Sequence, residues 1–386
     1  MLARLAGGLA LVLALAALVP ASAAARFQLG IQDDNAFVTA PAAGRAQAFN
    51  YAGQLGVTWL KMTLGWDGYH GYGLHPYDVA VNQARAHGWT VQLMITGSPW
   101  YSSRGSYLPY LNPSPGRFAT FVSHVVRHFR GRVRFYSLWN EPNLYIYLSP
   151  HSRAPAIYHS LFRQGYAAAK DADPAAQVLI GEMSPVRGSL DFLASVLDRG
   201  GLVADGFAHH PYQFALVPPG RPEPSYLGIS NTSMVAGTLR RLAREGWLRT
   251  PAGGTLPLYF TEFGYPRPGS YYGYFSEGQR AVWAVEAIRL ARRQRARVMV
   301  WYQLFRGLGR AGPRTWDTGL LSVNGFQWPV YRALVRDRYY LTGTRPPPPR
   351  PPPRQPAPAP PPPRPRPPPQ QTPPCTAGLI CAPSPV

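Results

Sequence analysis

The chain has 386 residues, 46% of them hydrophobic, and a formal charge of +21 from 39 basic and 18 acidic side chains. Lys61 and Lys170 are the only lysines, and no basic helix interleaved with aromatics occurs, so the arginine excess describes a basic solvated surface and not a nucleic-acid binder. Such a surface suits electrostatic contact with an anionic cell envelope. The only cysteines, Cys375 and Cys381, lie near the C-terminus, which leaves the rest of the chain without a disulfide staple or a thiol nucleophile.

In chain order, residues 1–25 read as an export signal. Arg4 precedes an apolar run from Leu9 to Val19, followed by Pro20 and the small-x-small cleavage site Ala21-Ser22-Ala23. That run is shorter than the roughly 20 residues of a spanning helix, so cleavage near Ala24 to Arg26 and a secreted mature chain are expected. Residues 343–386 turn to Pro, Arg, Gln and Ala, with the runs Pro346 to Pro349 and Pro360 to Pro363. Such a segment buries no core and is predicted to be a disordered, extended spacer, with Cys375 and Cys381 free to close a short disulfide. Residues 26–342 are left as one folded domain, expected to be monomeric. They are long for one sandwich and suited to one α/β barrel.

Eight short apolar runs punctuate that domain: Phe27 to Gln32, Val57 to Leu64, Thr90 to Thr96, Val133 to Trp139, Gln177 to Glu182, Gly206 to His210, Leu258 to Glu262 and Arg297 to Leu304. Buried parallel strands have this character. Helical patterns lie between them. Phe118, Phe121, Val122, Val125, Val126 and Phe129 form an apolar stripe introduced by Ser114-Pro115 as cap and first turn. Leu190, Leu193, Val196 and Leu197 repeat the stripe, as do Val282, Val285, Ala287, Ile288 and Ala291; Thr232 to Trp247 follows a Pro-rich rim loop, Val217 to Pro224. Eight strands, each followed by a helix, predict a (β/α)8 TIM barrel. A doubly wound sheet is the lesser alternative, because no glycine-rich phosphate turn follows the first strand.

Barrel chemistry sits at the carboxyl ends of strands. The fourth run closes with Trp139-Asn140-Glu141-Pro142 and the seventh with Thr261-Glu262-Phe263-Gly264, so two carboxylates should face one mouth. Glycosidic hydrolysis needs such a pair, one to protonate the departing oxygen and one to attack the anomeric carbon or activate water. With these two motifs the sequence resembles clan A of the glycoside hydrolases, the TIM-barrel retaining glycosidases, over nearly all of Arg26 to Leu341. The resemblance implies Glu141 as acid/base, Glu262 as nucleophile and Asn140 bonded to a sugar 2-hydroxyl. It also implies that Tyr212 of His210-Pro211-Tyr212 holds the nucleophile and that Trp301 stacks on the sugar. The segment from Gly319 through Gly325 with Pro329 and Tyr331 resembles the closing helix of member families.

Other residues have plainer readings. Glu182 ends the fifth run and is read as bracing the site or pairing with Arg. His209 and His210 lack a third partner at metal-ligand spacing, so no metal or other cofactor is implied, and His210 is read as a hydrogen-bonding support. Lys61 is read as ending the second strand, where clan members often carry an Arg near the nucleophile; it supplies charge without the planar fork. Trp66, Trp100, Tyr101 and Trp316 are candidate sugar platforms, each equally suited to core or loop packing, and of these Trp66 is assigned to substrate binding. Asp33 and Asp34 suit either outer hydroxyls or a loop cap. The expected function is hydrolysis of O-glycosidic bonds in an oligo- or polysaccharide by double displacement. A catalytically silent sugar-binding barrel and a transglycosylase are the alternatives.

Overall fold

A computed structural model of the chain describes residues 26–66, 73–97, 110–213, 218–222, 226–271, 273–306 and 316–344. Residues 1–25, the proline-rich residues from 345 onward with both cysteines, the ends of the rim loop, and Trp100 and Tyr101 lie outside the described residues. The strands are β1 (Gln28–Gln32), β2 (Trp59–Gly65), β3 (Thr90–Thr96), β4 (Phe135–Leu138), β5 (Gln177–Met183), β6 (Gly206–His209), β7 (Leu258–Phe263) and β8 (Val298–Tyr302). They pair in sequence order, all parallel, and β8 returns to β1 to close the barrel. A helix follows each: α1 (Ala42–Gln54), α2 (His75–Ala86), α3 (Pro115–Phe129), α4 (Ala154–Ala172), α5 (Ser189–Leu197), α6 (Thr232–Arg244), α7 (Glu277–Arg293) and α8 (Pro329–Thr342). The (β/α)8 barrel is thus the architecture. Among the described residues no helix is long and apolar enough to cross a membrane.

Strand alternation builds two cores. Trp59, Leu179, Ala208, Tyr259, Val298 and Val300 fill the barrel, with Phe135 packed against them. Their chain neighbours face the helices, where Leu60, Ile180, Phe207, Phe260 and Met299 join the larger core. The α3 stripe buries all six predicted residues, each contributing about 1.5–3 kcal/mol on burial. Ser114 is the residue before that helix, but its hydroxyl makes no capping bond. The capping box belongs instead to α7, where Ser276 and Gln279 bond reciprocally. Val282, read as part of the α7 stripe, is 68% exposed, because it sits off the face set by Ala281, Ala284, Val285 and Ile288.

Two bulges break the alternation just below the mouth. The β5–β6 register shifts between Gly181 and Met183, and Gly181 adopts a φ of +115°. A Cβ there would stand 2.2 Å from the Ala208 carbonyl oxygen, so only glycine allows the bulge. The β7–β8 register shifts between Met299 and Trp301. The extra residues turn Glu182 inward and let consecutive Thr261 and Glu262 both reach the interior.

Candidate active site

Above the apolar floor of the barrel lies a polar layer centred on Glu182, which is fully buried. Its Oε2 accepts from Lys61 Nζ at 2.8 Å, Thr261 Oγ1 at 2.9 Å and His210 Nε2 at 2.5 Å; its Oε1 accepts from Gln92 Nε2 at 2.9 Å. Gln92 is itself oriented by Trp59, whose indole N–H donates to Gln92 Oε1 at 3.1 Å. Buried ion pairs are tolerated when every lone pair finds a donor, and here both carboxylate oxygens do.

The mouth rests on this layer. His210 holds Glu182 with Nε2 and Glu141 Oε1 with Nδ1, the latter at 2.9 Å. Its Nε2 also lies 3.9 Å from Glu262 Oε2, and Lys61 Nζ lies 3.7 Å from the same oxygen. Tyr212 donates its hydroxyl to Glu262 Oε1 at 2.7 Å. Glu141 and Glu262 therefore face each other around one imidazole ring, their side chains 12% and 15% exposed. Each is immobilised on one side and open on the other.

The backbone that presents Glu141 is strained. Trp139, Glu141 and Glu182 have φ values of +76°, +38° and +48°, and none is glycine; each such residue costs about 1–3 kcal/mol. Local bonds hold them. Trp139 N donates to the Ile95 carbonyl at 2.7 Å, Glu141 N to the Glu182 carbonyl at 2.9 Å, and the Trp139 indole to the Tyr147 carbonyl at 2.7 Å. The two strained carboxylate residues thus share a backbone bond, which links the ends of β4 and β5.

Electrostatics divides the three carboxyl groups. Burial raises Glu141, assisted by the nearby Glu262 charge and opposed by His210. Burial also acts to raise Glu182, but Lys61 and His210 together outweigh it and hold that carboxyl well below the ordinary range. Burial acts to lower His210, yet Glu262, Glu141 and Glu182 raise it to about 9, so the ring is a cation at neutral pH with an N–H on each side. His209 is the opposite case: buried and bonded to the Leu227 carbonyl at 2.7 Å, it is lowered to about 4.

A stability profile follows from His210. Because its folded value, about 9, exceeds the ordinary 6.5, its contribution is complete below pH 6.5 and is lost as pH rises through 9. Denaturant unfolding should lose on the order of 3 kcal/mol across that window. His210→Gln should flatten the loss; an equally steep decline in the variant would refute the assignment.

Of the residues singled out in the sequence, Glu141, Glu262, His210, Tyr212 and Lys61 come together in this cluster. Lys61 lies mid-strand and not at the end of β2, reaching upward to both Glu182 and Glu262. Asn140 adjoins Glu141, and its buried Oδ1 has no hydrogen-bond partner among the described residues. Glu182 braces the site, paired with Lys and not Arg.

Trp301 and Trp66 are not at the mouth. Trp301 is 2% exposed, packs edge-on to Phe263 and donates its indole N–H to the Thr318 carbonyl at 2.9 Å. It shares the outward parity of Met299, so its ring faces the helices. Tyr302, one residue on, shares the inward parity of Val298 and Val300 and is influenced by Glu262 and Asp34. The repeat Val298, Val300, Tyr302 was the available sequence clue to it. Trp66 stacks on Phe121 of α3 with centroids 5.6 Å apart. Trp316 stands edge-on to Tyr212 at 5.1 Å and so buttresses the group that holds Glu262. Asp33 caps the first loop, accepting from Ala36 N at 3.1 Å and Phe305 N at 2.9 Å. Asp34 accepts from Thr63 N at 2.8 Å, and burial raises it to about 6.

No family model matches the chain, and no curated protein does. Solved structures do resemble it. A family 39 glycoside hydrolase from the gut symbiont Bacteroides cellulosilyticus WH2 aligns with a TM-score of 0.63 and 20% identity, over 82% of this chain and 64% of that one. A monomeric β-xylosidase from Caulobacter crescentus CB15 aligns with a TM-score of 0.58 and 21% identity, over 80% of this chain and 67% of that one. GH5_18 from Streptomyces cattleya, solved in complex with GlcNAc, aligns with a TM-score of 0.60 and 15% identity, over 84% and 82%. The chain thus spans about two thirds of the first two structures, and it shares with them the fold of a (β/α)8 barrel.

Proposed function

We propose that this protein is a retaining glycoside hydrolase that cleaves O-glycosidic bonds of an oligo- or polysaccharide, with Glu141 as acid/base and Glu262 as nucleophile. The observation that carries the reading is the pairing of a burial-raised carboxyl, Glu141, with a second carboxylate, Glu262, around the single ring of His210. Double displacement is the course that the resemblance of the Glu141 and Glu262 motifs implies; it needs two carboxyl groups about 5–5.5 Å apart, whereas an inverting pair stands farther apart to leave room for water.

In the first step Glu262 forms a bond to the anomeric carbon as the glycosidic C–O bond breaks. The Glu141 proton passes to the departing oxygen. Ester formation removes the Glu262 charge, one of the causes that raise Glu141, so Glu141 remains a carboxylate and serves as base. In the second step it takes a proton from water, whose oxygen attacks the anomeric carbon and releases Glu262. Tyr212 donates to Glu262 and aims it, and Lys61 adds positive charge beside it. A sugar hydroxyl in place of water would make the same site a transglycosylase. A sugar-binding barrel without catalysis would have no use for a raised carboxyl beside a second carboxylate.

The test is proton NMR of the first product released from an aryl glycoside. Retention of the anomeric configuration is expected, and inversion would overturn the double displacement. Glu141→Gln should lower turnover by about 10²–10⁴-fold for poor leaving groups and far less for dinitrophenolate, which departs without a proton. An equal loss for both would remove Glu141 from the acid role. We also read residues 1–25 as a cleaved export signal, checked by N-terminal sequencing of protein recovered from the medium.

A further inference from the structure

A second feature lies outside the barrel, between the first turns of α3 and α4 and the end of α5. A cavity of about 880 Å³ opens there, and Arg117, Arg153, Arg163 and Arg199 line it together with His159 and Ser160. No carboxylate is among the lining residues. Among the described residues, the side chains of Arg153, Arg163 and Arg199 join no ion pair, whereas Arg132, Arg267, Arg280, Arg293 and Arg336 each do. Three uncompensated guanidinium groups in one concavity repel one another, and a guest anion relieves that repulsion.

The other walls narrow the guest further. α3 begins at Pro115 on this cavity, and the Ser114 hydroxyl leaves its first amides uncapped, so the positive end of a helix of 15 residues adds to the field. Uncharged hydrogen-bonding groups, those of Asn112, Ser114 and Ser160, are interspersed with the cations. No Phe, Tyr or Trp ring lines the cavity, which leaves nucleobases without a broad stacking platform. A concave site also admits a chain better than a flat lipid surface. Guanidinium forks for carboxylate or phosphate, alternating with amide and hydroxyl groups for neutral hydroxyls, match a polyhydroxylated chain carrying spaced anions.

We infer that this cavity is a binding site for an acidic oligosaccharide, one bearing carboxylate or phosphate groups, separate from the catalytic mouth. The assignment does not depend on the catalytic reading, since none of its residues belongs to the cluster around Glu182.

Titration calorimetry on the full chain tests it, with tri-galacturonate as the carboxylate probe, cellotriose as the neutral probe and inorganic tripolyphosphate as the bare anion. Tri-galacturonate should bind, weaken steeply with added salt, and lose at least tenfold in affinity in the variant Arg153→Gln/Arg163→Gln/Arg199→Gln. That variant should keep its melting temperature and its aryl-glycoside turnover, which separates failure here from failure of the catalytic proposal. The control variant Arg240→Gln/Arg244→Gln/Arg249→Gln removes the same charge elsewhere and should bind as wild type does. Equal loss in both variants would reduce the effect to net charge and overturn the site. So would unchanged affinity in the cavity variant, cellotriose binding as tightly as tri-galacturonate, or binding of tripolyphosphate without tri-galacturonate.

Discussion

Glu262→Ala is expected to abolish turnover of aryl glycosides, by at least about 10⁴-fold, because no other group can form the covalent bond to the anomeric carbon. Tyr212 and Lys61 would then surround an empty position, and the fold should survive, since Glu262 is partly exposed and its removal relieves no packing. Melting temperature within a few degrees of wild type therefore accompanies the loss. Added azide should restore partial turnover and yield a glycosyl azide of inverted configuration, because azide enters from the side the carboxylate occupied. Substantial residual activity without azide would reassign the nucleophile. Glu182, the cluster's third carboxylate beside Glu141 and Glu262, is poorly placed to replace it, being fully buried and bonded on both oxygens.

The second large effect concerns stability. Glu182→Leu leaves Lys61 and His210 as buried cations facing each other and removes the acceptor shared by Gln92 and Thr261. Breaking a buried pair from one side costs about 3–5 kcal/mol, and a fall in Tm of roughly 6–15 °C is expected for a domain of this size. The cost arises mainly from the stranded charge. Adding Lys61→Met to Glu182→Leu should therefore recover part of the loss, and the double variant should be more stable than Glu182→Leu alone. If the two losses simply add, Glu182 is not the counterion of this layer. Because its carboxyl is held below the ordinary range, the contribution of Glu182 persists through neutral pH and is lost only under strong acid.

Much of the architecture could be read from one dimension. Unbroken apolar runs mark β1 to β8, and stripes of helical spacing between them mark α3, α5, α6 and α7, because burial on both faces leaves a strand few polar options. The carboxylates at the ends of the fourth and seventh runs were legible for the same reason: a charge closing an apolar strand stands out against its surroundings. His210 and Tyr212 could be named through their place after β6, although nothing in their spacing tells which group each would bind.

Parity near the mouth could not be read that way. Strict alternation carries one residue inward and the next outward, and an aromatic at a strand end shows which it is only once the inward residues below it are known, as Val298 and Val300 are for Tyr302. Trp301 and Trp66 fell on the outward side, against Phe263 and Phe121, while Tyr302 took the inward place. Two extra residues, one in β5 and one in β7, reset the count and brought Glu182 and Thr261 into a single polar layer with Lys61 and Gln92. A bulge costs one ladder bond locally and is chosen by contacts across the barrel, such as the closeness of Gly181 to Ala208. Composition and periodicity decide which segments become strands, since those are local burial preferences. Which side chains meet inside is decided by register among strands distant in the chain, and that is a property of the closed barrel alone.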